Sequence, residues 1–301
     1  MRVDTASRLI LHWLLECMRL NEAGLRSGSD PEYLHDYRVA IRKTRSALAQ
    51  FKGTCGKRAA RNFKSEFAWL GQVTGPARDL DVYVQTFSDY RKHLPAPSQQ
   101  AIGPFQEYLV QCRAREYTQM LAQLDSDRYR GLLADWSAYL DTNNSKSQSS
   151  LAEIPVQAVA SRYIRKAYKR VLRHGRSITP DSTGASLHKL RKDCKQLRYL
   201  MEFFRSLYPA ADIRQLIAFL TLLQDNLGDL QDRTVQLGAL DYYTLLMSSE
   251  LTVTAETLHA IDGIAAILRD QRDRFRAGFA DRFREFDMSA HRKQFRKLFS
   301  S

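Results

Sequence analysis

One pattern, written twice at a fixed separation, constrains this chain more than any other feature. His35, Arg38, Arg42 and Arg45 follow the spacing His-x2-Arg-x3-basic-x2-Arg, and His188, Arg191, Lys195 and Arg198 repeat it 153 residues later. The same offset relates Gly75-Pro76-Ala77-Arg78-Asp79 to Gly228-Asp229-Leu230-Gln231-Asp232. Two motifs in one register indicate an internally duplicated chain, each half presenting a histidine and a row of cations. At about 100° per residue, offsets of 0, 3, 7 and 10 fall within about 80° of helix circumference, so each row forms a stripe on one face. At 1.5 Å rise per residue the stripe runs about 15 Å, too long for one small anion and suited to an extended one.

The apolar residues occupy an adjoining stripe: Leu34, Tyr37, Ile41, Leu48 and Phe51 in the first copy, and Leu187, Leu190, Cys194, Leu197, Met201 and Phe204 in the second. Each basic row therefore borders the face that packs into a core. Glycine and proline are scarce, at 14 and 8 residues, and long segments have helical periodicity, so the expected fold is all-α. Helices are expected over 5–26, 57–72, 78–93, 98–124 and 128–140. The first motif helix starts with Asp30 as N-cap and Pro31 in its first turn, and ends near Gly53. The polar run Asp141 to Ser150 is the clearest linker. Beyond it come helices over 155–174, 211–227, 231–247, 252–284 and 289–299, with Ser186 capping the second motif helix. The expected architecture is one domain over 1–301 made of two helical bundles, 1–145 and 151–301, each of four or more helices. Pseudo-two-fold symmetry would set the two motif helices facing each other.

The balance of 46 Lys plus Arg against 33 Asp plus Glu, a net +13, points to a polyanionic partner. Residues 1–150 carry a net +5 and residues 151–301 a net +8, so the charge is not a basic tail on a neutral domain. Cys17, Cys55, Cys112 and Cys194 are widely spaced with no Cys-x2-Cys pair, which argues against a zinc ribbon or disulfide framework and fits a reducing cytoplasm. The first apolar stretch, Leu9 to Leu15, is broken by His12 and followed by Glu16 and Arg19, as in an amphipathic helix rather than a signal peptide. No apolar run reaches the length of a membrane span.

A third basic stripe lies at 155–174, where Arg162, Arg165, Lys166, Lys169, Arg170 and Arg173 follow spacings of three and four, interleaved with Tyr163 and Tyr168. It is either a ligand contact or a solvated face that only attracts at long range. Arginine offers a planar fork to phosphate oxygens and lysine a mobile point charge. His35 and His188 could donate to a phosphate, more strongly when protonated, which predicts tighter binding toward acid pH. The alternative is a histidine bonded to a carboxylate that positions a neighbouring arginine. Asp79 and Asp232 are expected to orient cations or cap helices, and no metal or cofactor site is expected.

The segment Leu34-His35-Asp36-Tyr37-Arg38-Val39-Ala40-Ile41-Arg42-Lys43-Thr44-Arg45, with Arg78-Asp79-Leu80-Asp81-Val82 downstream, resembles the first half of a CHAD domain, the conserved histidine α-helical domain. Leu187-His188-Lys189-Leu190-Arg191-Lys192-Asp193-Cys194-Lys195-Gln196-Leu197-Arg198-Tyr199, followed by Leu227-Gly228-Asp229-Leu230-Gln231-Asp232, resembles the second. The resemblance implies paired helical bundles with a basic cavity that binds inorganic polyphosphate, often at cytoplasmic polyphosphate granules and so near granule proteins. Carried over by position, the binding residues are His35, Arg38, Arg42, Arg45, His188, Arg191, Lys195 and Arg198. Lys43, Arg165, Lys166, Lys169, Arg173 and Lys192 are further candidates. Gln231 departs from the first copy, where Arg78 stands. Some relatives add a triphosphate tunnel domain with a Glu-x-Glu-x-Lys motif; no Glu-x-Glu occurs here.

No enzymatic signature survives inspection. His35-Asp36 is the dipeptide of all-α metal phosphohydrolases, yet the second copy has Lys189 after its histidine. Neither a P-loop nor Gly-x-Gly-x2-Gly is present. The expectation is therefore non-catalytic binding. Nucleic-acid binding and scaffolding at granules are the competing classes; net charge permits the first, but no recognition module is evident. Charge reversal at Arg42 or Lys195 should weaken binding more than a matched change at Arg128.

Overall fold

The computed structural model describes residues 1–50, 56–142 and 154–300. Phe51, Gly53, Cys55 and positions 143–150 of the expected linker lie outside the described residues. Within them the chain is all-α, with twelve α-helices and one short 3-10 helix, Arg205–Leu207. It divides into two compact units, Met1–Val82 with Val110–Val159, and Tyr83–Leu109 with Ala160–Ser301.

The first unit is built on α1 (Val3–Ser27), α2 (Pro31–Gln50), α3 (Lys57–Val73), the start of α4 (Gly75–Lys92), the end of α6 (Gly103–Leu124) and α7 (Asp127–Asp141). Asp30 begins α2 as expected, its carboxylate accepting from the Glu32 N–H at 2.9 Å. The apolar stripe of α2 is buried: Leu34, Tyr37, Ile41 and Leu48 pack in the core with Leu11, Leu14, Leu15 and Met18 of α1. Trp136 of α7 closes the other end, edge-on to Phe67 of α3 at 5.4 Å. A buried polar chain runs through the middle. The Tyr37 and Tyr129 hydroxyls are 2.9 Å apart, and Tyr129 donates to Glu22 at 2.7 Å.

The second unit contains the rest of α4, α5 (Ala96–Ala101), the start of α6, α8 (Val156–Arg176), α9 (Gly184–Phe203), α10 (Ala210–Glu250), α11 (Ala255–Phe286) and α12 (Ser289–Leu298). Residues 83–109, part of the first sequence half, pack here because their polar and aromatic side chains find partners here. The Tyr83 hydroxyl donates to Gln236 O at 3.2 Å, and Tyr90 to Gln236 Oε1 at 2.8 Å. Leu187, Leu190, Cys194, Leu197 and Met201 bury the apolar face of α9.

Three local expectations need correction. Gly228 does not divide 211–227 from 231–247. A lone helical glycine costs only about 1 kcal/mol against alanine, and burial of Leu223, Leu227 and Leu230 around it outweighs that, so α10 is one helix of 41 residues. The first copy has Pro76 in the matching stretch, and there the chain does break, at Thr74. The stretch 98–124 is two helices rather than one, parted at Ile102 ahead of Gly103-Pro104. Finally, Thr183 and not Ser186 caps α9: its hydroxyl accepts from the Ser186 N–H.

Candidate functional site: the histidine-led basic rows

In the first unit the basic row of α2 is braced by the α3–α4 junction. Arg38 Nη1 donates to Gly71 O and to Thr74 Oγ1, both at 2.8 Å, while Thr74 Oγ1 donates to Leu70 O. A Cβ on Gly75 would lie 3.6 Å from Arg38 Nη1, and one on Gly71 3.7 Å from Arg45 Nη1, so both guanidinium groups rest near glycine backbone. The glycine turn and the basic row are thus one structure. Burial pushes Arg38 down to about 10, opposed by Asp79 and reinforced by Arg42 and Arg78, so it remains a cation at neutral pH. The Nε atoms of Arg38, Arg42 and Arg45 are sealed from solvent without a hydrogen-bond partner. Arg42 and Arg45 form no hydrogen bond or ion pair among the described residues. Lys43 takes another direction, its Nζ 5.9 Å from the centroid of the Trp13 ring.

In the second unit the row of α9 lies along α10, and its charge is largely answered by acids. Arg198 Nε donates to Glu202 Oε1 at 2.7 Å, and Arg191 meets Asp232 at 3.5 Å. Position 49, which matches Glu202, is an alanine in the first copy, so Arg45 has no such partner. Lys195 is half-buried in the same row and Lys192 is exposed at its border.

The two histidines occupy equivalent places with different partners. Each contacts the residue 43 positions ahead: His35 Nδ1 lies 3.1 Å from Arg78 Nη2, and His188 Nδ1 lies 2.7 Å from Gln231 Oε1. A guanidinium only donates, so His35 Nδ1 accepts and the ring proton sits on Nε2. Gln231 presents its carbonyl oxygen, so His188 Nδ1 donates and Nε2 is a lone pair while the ring is neutral. His35 is held below the ordinary histidine value, first by burial and then by Arg78, with Arg42 adding and Glu32 and Asp36 opposing. Among the described residues neither ring is bonded to a carboxylate, the alternative the sequence had left open. His188 and Gln231 also line a pocket of about 680 Å³ with Thr234, Arg272, Asp273 and Arg276. Sequence reasoning missed Arg78 and Gln231 as histidine partners, although the equal separation of the two motifs in both copies was the available signal.

The third stripe, on α8, lines a groove of about 590 Å³ with all six cations. Among the described residues only Arg170 of the six has a carboxylate partner: its Nε lies 2.7 Å from Asp193 of α9, whose other oxygen is 2.5 Å from His174 Nδ1. Within the six there are seven pairs three or four residues apart, each repulsive by about 0.2–0.5 kcal/mol. Tyr168 is not interleaved with the basic face; it is in the core, stacked on Phe295 at 3.9 Å. Arg128, expected to be a neutral comparison site, is bound to Glu66 at 2.9 Å and stacked 4.1 Å from the Trp69 ring centroid. Among the described residues no three His, Cys, Asp or Glu side chains gather as metal ligands, and no helix is long and apolar enough to cross a membrane.

An all-α protein with a duplicated, histidine-led cationic helix, braced in each copy by the residue 43 positions on, defines a narrow structural class. The chain belongs to the CHAD domain family, whose model matches residues 9–241. Its fold is similar to the crystal structure of the CHAD domain from the plant Ricinus communis, with a TM-score of 0.71 and 24% identity, covering 99% of this chain and 93% of that one. It is also similar to PptA from Streptomyces chartreusis, with a TM-score of 0.72 and 13% identity, covering 94% of this chain and all of that one. At these identities the likeness speaks for the fold alone. Two uncharacterised proteins from strains of Mycobacterium tuberculosis are 30% identical over 172 residues, 55% of this chain and 33% of theirs. The chain thus spans about a third of the length of these curated relatives.

Proposed function

We propose that this CHAD-family chain binds inorganic polyphosphate without turning it over, using the rows led by His35 and His188, and that it acts in the cytoplasm at polyphosphate granules alongside granule proteins. The observation that carries the reading is the state of Arg42 and Arg45. Two arginines on one helix face, each with its Nε sealed and no acidic partner among the described residues, hold uncompensated charge that an extended anion would neutralise. Membership of the CHAD family supports the choice of polymer. A bare phosphate chain needs cations along a path and no base-reading module, which favours it over nucleic acid.

The test is titration of purified protein with polyphosphates of graded length, beside nucleotides and RNA, with turnover assayed in the same samples. Binding should fall with salt at a slope of about 0.7 per phosphate neutralised, borrowing the single-strand value. Arg42→Glu and Lys195→Glu should each lower affinity about tenfold or more, the scale of one lost charge-assisted contact. Lys64→Glu is the proper comparison, since Lys64 is exposed and without an ion pair among the described residues. Equal losses at all three positions, failure of polyphosphate to displace RNA, or release of phosphate during the titration would each overturn the proposal.

A further inference from the structure

The α8 surface is a cationic site that the motif rows do not explain. Asp193 lies two residues from both Arg191 and Lys195, about 200° around α9, so it points to nearly the opposite side of that helix. Arg170 and His174 hold Asp193, which places α8 on that opposite side. We propose that the α8 groove is a separate binding site for a condensed phosphate chain, distinct from the histidine-led row of α9. The polyphosphate reading above supplies the ligand class; the location rests on α8 alone.

Four observations support a site rather than a solvated face. The segment 156–176 contains no Asp or Glu, and Arg162, Arg165, Lys166, Lys169 and Arg173 have no carboxylate partner among the described residues. Their mutual repulsion works against the helix, so fold stability does not account for them. The duplication does not demand them either: 153 residues earlier, the positions of Arg162, Lys166, Lys169 and Arg173 are Leu9, Trp13, Glu16 and Leu20. The platform is also firm, because Ile164, Tyr168 and Val171 anchor α8 in the core while Arg170 ties it to Asp193 and Gln196.

The chemistry of the groove selects the ligand. From Arg162 to Arg173 the row spans about 16 Å, long enough for several consecutive phosphates. Single-stranded nucleic acid gains affinity by stacking bases on aromatic rings, and among the described residues none lines this groove: Tyr168 is buried and Tyr163 lies off the stripe, only partly exposed. A polymer of phosphates alone requires nothing the groove lacks.

Calorimetric titration with a short polyphosphate of defined length tests this on the full chain. The unaltered protein should show more than one class of site. Lys166→Gln/Lys169→Gln/Arg173→Gln should lose one class by about tenfold and keep the other, whereas Arg42→Gln/Lys195→Gln should keep the α8 class. The same α8 variant, without ligand, should melt at the same temperature or a few degrees higher, because repulsion is relieved. The proposal is overturned if the α8 variant titrates like the unaltered protein, or if its loss matches that of neutralising exposed Arg58, Arg61 and Lys64. Preference of the α8 surface for RNA or duplex DNA, or a lower melting temperature of the variant, would do the same. If the motif variant is silent while α8 still binds, the motif rows fail and this site stands.

Discussion

Acidification should strengthen polyphosphate binding through His188 and not through His35, because the two rings present different atoms to an anion. His35 already offers its Nε2 proton when neutral, and Arg78 and burial oppose a second one. His188 spends its only neutral proton on Gln231 and gains an outward donor only when protonated. Replacing a lone pair with a charged N–H donor is worth about 1.5–3 kcal/mol, or about 10- to 150-fold in affinity. One ring limits the response to one proton, so log affinity rises by no more than about one per pH unit. The assay is polyphosphate titration at constant ionic strength across the range, about pH 8 to 5, in which histidine changes charge. His35→Gln should keep the acid-side rise and His188→Gln should lose it. Gln231→Arg should flatten it too, by imposing the first copy's arrangement on the second. The charged groups around His188 are Arg191 on its own helix, Asp232 on α10, which meets Arg191, and Arg272, Asp273 and Arg276 on α11. Asp273 is held low by its hydrogen bond to Arg272, so it does not compete. Asp229 is pushed up, first by burial, so Asp229→Asn is the control. A rise that survives His188→Gln and vanishes with His35→Gln would refute the reasoning.

Three stability predictions follow from contacts within single units. Asp193→Ala strands Arg170 and His174 beside a buried gap and should cost about 3–5 kcal/mol in urea unfolding. A Cβ at Gly175 would clash with the Phe283 ring, inside a run of packed aromatics with Phe279 and Phe286; Gly175→Ala should destabilise by about 1–3 kcal/mol, read as a lower melting temperature. His35 protonates less readily folded than unfolded, so it removes stability as pH falls through the ordinary histidine range; His35→Gln should make the unfolding midpoint less sensitive to pH there.

The all-α class, the core-facing stripes, the Asp30 cap and the one-sided basic rows were all readable in the primary structure. Each depends on helical periodicity or on a neighbour a few residues away, and backbone geometry repeats those relations wherever the residues occur. Gly228 was misread because an isolated glycine weakens a helix by less than the leucines around it strengthen one through burial. The packing of residues 83–109 with the second unit was hidden for a related reason: it depends on Tyr83 and Tyr90 finding Gln236, about 150 residues away.

The site divides along the same line. That His35 and His188 head equivalent rows follows from spacing. That one accepts from an arginine while the other donates to an amide, that among the described residues Arg42 and Arg45 lack the acidic partners found by Arg191 and Arg198, and that α8 lies across α9 from the motif row do not. Protonation, charge neutralisation and direction are set by which distant side chains come within about 3 Å, and folding alone selects those neighbours.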